Sequence, residues 1–205
     1  MEPIKIFCIA KRIRESNKDM INKIGLMDKD KLMEIFSYLN ERLRENQLQL
    51  EITVYGESIM TMVYDSRPAT KDIDCIFSET NLKLLENILN LTKFAFGLSE
   101  GWINEEIKEP LKSILKEDKL VYKTYSNLKI LKPKAEQLLA MKVLAARPEP
   151  AMDFLDANIL CRDLNIKTKE RLLEVVSAYI PRSLLGERQI DFIKYLGEDL
   201  GYDWE

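Results

Sequence analysis

Asp72 and Asp74 stand two residues apart at the head of the apolar run Cys75-Ile76-Phe77. With Ile73 between them, the pattern predicts a buried strand over Ile73–Phe77. Residues two apart on a strand share a face, so any fold this chain adopts must hold two carboxylates side by side on a sheet. Coulomb repulsion and desolvation both oppose that placement. Two arrangements relieve it: a solvated sheet edge, or a divalent cation bridging the pair. The apolar residues Ile73, Cys75, Ile76 and Phe77 argue against the solvated edge.

The pattern around this strand is regular enough to read. Leu32, Ile35, Phe36, Leu39 and Leu43 recur at helical spacing from Asp28 onward. Leu50, Ile52 and Val54 alternate as in a strand, which Gly56 ends, and Ser58 to Tyr64 reads as a short helix. Leu84, Leu85, Ile88 and Leu89 mark another helix, and residues 97–118 read as loop and helix. Leu120–Tyr125 and Leu128–Leu131, separated by Ser126-Asn127, form a hairpin pattern. Pro133 is placed to open a helix running to Arg147, with Pro148 and Pro150 beyond it. Helices over 151–164, 168–179 and 187–196 complete the chain. The expected fold is α+β: a small mixed sheet with helices packed on it, then a mostly helical C-terminal part. The corresponding division is an N-terminal extension (1–27), a core (28–132) and a helical subdomain (133–205).

Composition narrows the chemistry. The chain contains no histidine, which removes His-based triads, His general bases and His metal ligands. A metal site here is therefore oxygen-rich, suiting Mg²⁺ or Mn²⁺. A net charge of −3 gives no overall basic footprint for long stretches of nucleic acid, although it leaves local basic patches open. Cys8, Cys75 and Cys161 are far apart and lack CxxC spacing, so a reducing, cytoplasmic setting is expected. No apolar run approaches the ~20 residues of a membrane span.

Two further segments carry chemistry. Gly56-Glu57-Ser58 follows a strand and precedes a helix, where glycine lets backbone approach a phosphate. In the apolar run Leu138–Ala146, Lys142 is the one charge, and a buried ammonium needs a partner. Asp153 and Asp156, three apart on one helical face, are natural partners for Lys142 or Arg147. Such a cluster is either an ion-pair network joining two helices or a set of phosphate contacts oriented by aspartates. The two roles are compatible.

Gly56-Glu57-Ser58 followed by Asp72-Ile73-Asp74-Cys75 resembles the signature of the DNA polymerase β-type nucleotidyltransferase superfamily: a strand, a small-residue turn, then Asp-apolar-Asp-apolar. Arg67 to Asp74 is similar to a bacterial branch, the AbiEii-type and related minimal nucleotidyltransferases often found in toxin–antitoxin modules. Trp102-Ile103-Asn104 resembles an element of that branch. Lys142, Ala145, Arg147, Asp153 and Asp156 match a further motif of it. The resemblance spans about Asp28 to Leu196.

It implies transfer of NMP from an NTP to a hydroxyl on RNA, protein or a small molecule. Asp72 and Asp74 would hold Mg²⁺, and Lys142 would join them in catalysis. Gly56, Glu57, Ser58, Lys71, Lys142 and Arg147 would bind the nucleotide, with Asp153 and Asp156 as supporting ion pairs. Partners implied are NTP, a tRNA or protein acceptor, and a cognate antitoxin. The alternative is a catalytically silent protein of the same fold that binds nucleotide or a partner protein. Three departures stand out. Glu57 occupies a position where the superfamily has a small residue. Neither hairpin strand offers a third carboxylate. Met152 precedes Asp153 where relatives often have Arg.

Overall fold

Helix α1 (Lys29–Glu45) begins where the Asp28 carboxylate accepts a hydrogen bond from the Lys31 N–H at 2.8 Å. Its five periodic residues, Leu32, Ile35, Phe36, Leu39 and Leu43, are all fully buried. The computed structural model that shows this describes residues 25–78, 80–146 and 152–201. Expectations falling on Arg147, Pro148, Pro150 and most of the N-terminal extension lie outside the described residues.

After α1 come β1 (Leu50–Val54), α2 (Gly56–Met62), β2 (Ile73–Phe77), α3 (Leu82–Phe96), β3 (Ile103–Asn104) and α4 (Lys108–Leu111). The hairpin strands β4 (Lys119–Thr124) and β5 (Leu128–Pro133) follow, then α5 (Ala135–Ala145), α6 (Met152–Asp163), α7 (Lys169–Ser177), a 3₁₀ turn (Arg182–Leu184) and α8 (Glu187–Asp199). The five strands form one mixed sheet in the order β3-β2-β1-β5-β4. β1 is antiparallel to β2 and parallel to β5, β2 is parallel to β3, and β4 is antiparallel to β5. The molecule is thus α+β with a small mixed sheet, as the element pattern implies. Among the described residues, no helix is long and apolar enough to cross a membrane.

Three local expectations need correction. The helix after Gly56 starts at Gly56, not Ser58, because Tyr55 is the extended residue before it. Pro133 ends β5 instead of opening α5, which begins at Ala135 after an extended Lys134. The parallel pairing of β5 to β1 runs only to Leu131, so the missing proline N–H breaks no bond on that side. The segment read as loop and helix also contains β3, whose Ile103 and Asn104 pair with Ile73 and Asp74.

One contiguous apolar cluster runs from α1 and the sheet into α5, α6, α7 and α8. Helix α5 is apolar on every side, and Leu138, Leu139, Ala140 and Val143 are buried where it packs on the three following helices. Fixing α5 in this way brings Lys142 toward the end of the sheet that carries Asp72 and Asp74. Cys75 and Cys161 are buried free thiols. Burial pushes the Cys161 thiol up to about 12.

Candidate active site

Gly56 is the turning point of the site. Its φ of +61° lies in the left-handed region that L side chains rarely adopt. A Cβ built there would sit 2.3 Å from Asp74 Oδ2. Glycine is thus demanded twice, by backbone conformation and by the carboxylate pressed against its α-carbon. The neighbouring Tyr55 N–H donates to the Asp74 carbonyl at 2.8 Å, tying the turn to β2.

Asp72 and Asp74 are each half-buried on the same side of β2, while Ile73 and Cys75 point into the core. The Asp72 carbonyl accepts from the Ser58 hydroxyl at 2.8 Å and the Thr70 hydroxyl at 3.0 Å. Thr70 is itself fixed by a two-way backbone bridge with Met27, at 2.7 and 2.9 Å. Burial raises the Asp72 carboxyl above the ordinary carboxylate range, and the charges of Glu57 and Glu106 add to it. Asp74 is raised by burial first and by Asp72 next, against a lowering bond from the Asn104 side chain. Among the described residues, neither carboxylate has a Lys or Arg within ion-pair distance. The pair is therefore short of positive charge.

A second acidic cluster lies behind it, and this one is compensated. The Lys142 ammonium sits 2.9 Å from Asp153 Oδ1 and 2.8 Å from Asp156 Oδ2. The Arg67 guanidinium reaches the other way, 2.6 Å from Asp156 Oδ2 and 2.6 Å from Glu57 Oε1. The run Glu57–Arg67–Asp156–Lys142–Asp153 thus links α2, the loop before β2, α5 and α6. Arg67, Lys142 and Asp156 are nearly inaccessible, Asp156 at 1% exposure. Lys142 pairs with both aspartates expected of it. The Arg67 contribution was not expected.

Two clefts meet at this point. A polar one of about 440 Å³ is lined by Asp72, Asp74, Glu57, Lys71, Thr70, Ala69 and Leu26. An apolar one of about 390 Å³ is lined by Gly56, Lys142 and Asp153 with Ile107, Pro110, Leu138 and Met141 among its walls. Gly56 borders the apolar cleft while its α-carbon abuts Asp74 of the polar one. The structure thus gathers Gly56, Glu57, Lys71, Asp72, Asp74, Lys142 and Asp153 around two adjoining hollows. Ser58 behaves differently: it is buried at 1% exposure and holds the Asp72 backbone. Asp156 acts from behind, through Lys142 and Arg67.

The residues that sequence reasoning did not assign to the site are Arg67, Asn104 and Glu106. Asn104 pairs with Asp74 across the β2–β3 register and bonds its carboxylate, while its own Oδ1 accepts from the Glu106 N–H at 3.0 Å. The available signal was Trp102-Ile103-Asn104: Trp102 is buried and its carbonyl accepts from Ile73 N–H at 2.8 Å, which sets Asn104 beside Asp74. Among the described residues, no three acidic, cysteine or histidine side chains converge as a ready-made metal cage. The chain matches no known protein family, no curated protein and no solved structure.

Proposed function

We propose that this protein is a nucleotidyltransferase, moving NMP from an NTP to a hydroxyl acceptor at Asp72 and Asp74. The observation that carries the reading is the carboxylate pair, without an ion-pair partner among the described residues, packed against a positive-φ glycine. Mg²⁺ held by one or two carboxylates plus substrate phosphates is the usual arrangement in phosphoryl transfer, and a pair with no Lys or Arg in ion-pair contact among the described residues fits that role. Bound there, Mg²⁺ would supply charge neutralisation of the triphosphate.

The remaining work falls to the chain itself. Gly56, with no side chain, lets the Asp74 carboxylate lie against the backbone turn where the two clefts adjoin. Lys71, exposed on the rim of the polar cleft, adds a cation for the triphosphate. Arg67 pairs with Glu57 and offsets part of the charge that this residue brings to the turn. The apolar cleft beyond Gly56 suits the flat faces of a nucleoside. An acceptor hydroxyl attacks the α-phosphorus in line, a new P–O bond forms, the bond to the bridging oxygen breaks, and pyrophosphate departs. One of the two aspartates takes the hydroxyl proton.

A second reading has its own support. Lys142, the cation that the resemblance places in catalysis and nucleotide binding, is already bonded to two carboxylates. That favours a silent module that binds nucleotide without transferring it. Pyrophosphate release from each of the four NTPs with Mg²⁺, with and without bulk tRNA, separates the two. Release that disappears in Asp72→Asn/Asp74→Asn supports the enzyme. NTP binding without release, lost in the same variant, supports the silent module. Absence of both removes the nucleotide reading altogether.

A further inference from the structure

The β4–β5 hairpin has a charge balance unlike the rest of the molecule. Residues 119–134 contain Lys119, Lys123, Lys129, Lys132 and Lys134 and no acidic residue, in a chain whose net charge is −3. β4 lies at the open edge of the sheet, so the hairpin is approachable from the side. Lys123 lies over the Tyr125 ring, 4.9 Å from its centroid, and Lys132 over Tyr64 at 5.7 Å. Among the described residues, neither lysine has a carboxylate within ion-pair distance, whereas Lys119 and Lys129 are held by Glu117 and Glu51.

Register places these two cations together. Leu120 is opposite Lys132, and Lys123 is opposite Ile130. Lys123 and Lys132 therefore rise on the face that also bears Leu120, an exposed apolar residue. A ring under each ammonium limits the freedom of a long side chain, so less is lost when it binds an anion.

Lysines on an edge strand also discourage strand pairing with other chains. That role asks for charge on β4 alone and does not account for the lysines of β5. The β5 end of the hairpin also approaches the carboxylate pair. Continuing the parallel register by two residues sets Pro133 level with Tyr55, whose N–H bonds Asp74, and Lys119 is opposite Pro133. Lys119 and Asp74 are then three strand spacings apart in one row, roughly 14 Å.

We propose that the β4–β5 hairpin is a binding surface for single-stranded nucleic acid, with Lys123 and Lys132 on phosphates and Leu120 against a base. Charge complementarity selects a polyanion, and the exposed Leu120 beside the lysines selects one that carries flat, partly apolar groups. The surface stands whether or not the carboxylate pair transfers nucleotides. If both hold, a strand laid on the hairpin has its end within reach of Asp72 and Asp74.

The test is fluorescence anisotropy of a labelled oligouridylate against the full chain, without Mg²⁺ or NTP, so that transfer plays no part. Titrations run from about 25 to 200 mM KCl, where counterion release is read directly. Binding is expected to weaken with salt. Lys123→Gln/Lys132→Gln is expected to flatten the log–log slope by roughly 1.4, about 0.7 for each phosphate of a single strand that is no longer neutralised. The charge-matched Lys29→Gln/Lys83→Gln is expected to leave the slope unchanged. Three results would overturn the proposal: no binding at the lowest salt, an unchanged slope in the hairpin variant, or polyglutamate of equal charge competing as well as the oligonucleotide. The last would assign the surface to an acidic protein.

Discussion

The molecule holds two neighbouring acidic clusters, and their difference is the main clue to its chemistry. At Asp156 the carboxylate is almost wholly buried and bonded by both Arg67 and Lys142. At Asp72 and Asp74 the carboxylates are half-buried, raised by burial and by neighbouring negative charge, and without a cation within ion-pair distance among the described residues. Protein interiors do not leave charge unbalanced without consequence. The first cluster is internally complete and acts as a joint between the sheet end and the helices. The second is open to solvent and short of positive charge, the condition a site for a cation and an anionic substrate requires.

The largest effect that sharpens this contrast is at the complete cluster. Asp156→Ala leaves two buried cations facing one another, Arg67 keeping only Glu57 and Lys142 only Asp153. Breaking one partner of a buried pair typically destabilises by about 3–5 kcal/mol, which in a chain of this size lowers Tm by roughly 6–20 °C. Thermal unfolding followed by circular dichroism reads it directly. Replacing the three most buried members, Arg67→Met/Asp156→Leu/Lys142→Met, is expected to recover part of that loss, because well-packed apolar residues often substitute for a buried ion network, while Glu57 and Asp153 are left without their cations. Recovered stability together with normal pyrophosphate release would break the comparison, since the network would then be joint alone and Lys142 no part of the transfer site.

Next in size is Gly56→Ala. An L residue in the left-handed region costs roughly 1–2 kcal/mol, and here the added carbon meets Asp74 Oδ2 as well. A Tm drop of roughly 2–8 °C follows. The same substitution is expected to abolish Mg–NTP binding by displacing the Asp74 carboxylate, measured by isothermal titration. Undiminished NTP affinity in this variant would show that the close approach at Gly56 has no functional meaning.

Which parts of this were legible in the sequence follows from how far apart the interacting residues are. Helix α1 and strand β2 were readable because periodicity is a local signal. So was the pairing of Lys142 with Asp153 and Asp156, since an ammonium in an all-apolar helix must find an acid nearby. Arg67 was not. It lies in a polar loop that reads as solvated, and its partner is 89 residues downstream. β3 escaped for a related reason: two residues have no period, and only the register with β2 makes them a strand. Asn104 and Glu106 were hidden with it. Pro133 misled because its rule for helix starts ignores whether a strand partner is present on the side of the missing N–H.

The smallest effect has the opposite sign from the others and so tests the comparison most directly. Asp72 and Asp74 have carboxyl pKa values raised in the folded protein. The folded state therefore keeps these protons to higher pH than the unfolded chain does. Stability falls as pH rises from the ordinary carboxylate range through the raised values, and the penalty is fully present above them. Asp72→Asn/Asp74→Asn removes the penalty, so the variant is expected to melt higher than wild type at about pH 8, by roughly 2–4 °C if the relief is about 1 kcal/mol. At about pH 3, where both carboxyls are protonated in either state, the gain is expected to vanish. Added Mg²⁺ is expected to raise the wild-type Tm at the higher pH and leave the variant unmoved, closing the gap from the other side. A variant that melts lower than wild type at about pH 8 would mean that the two carboxylates are already satisfied by their surroundings. They would then belong with the Asp156 cluster, and the case for a cation at this end of the sheet would fall with the distinction between the two.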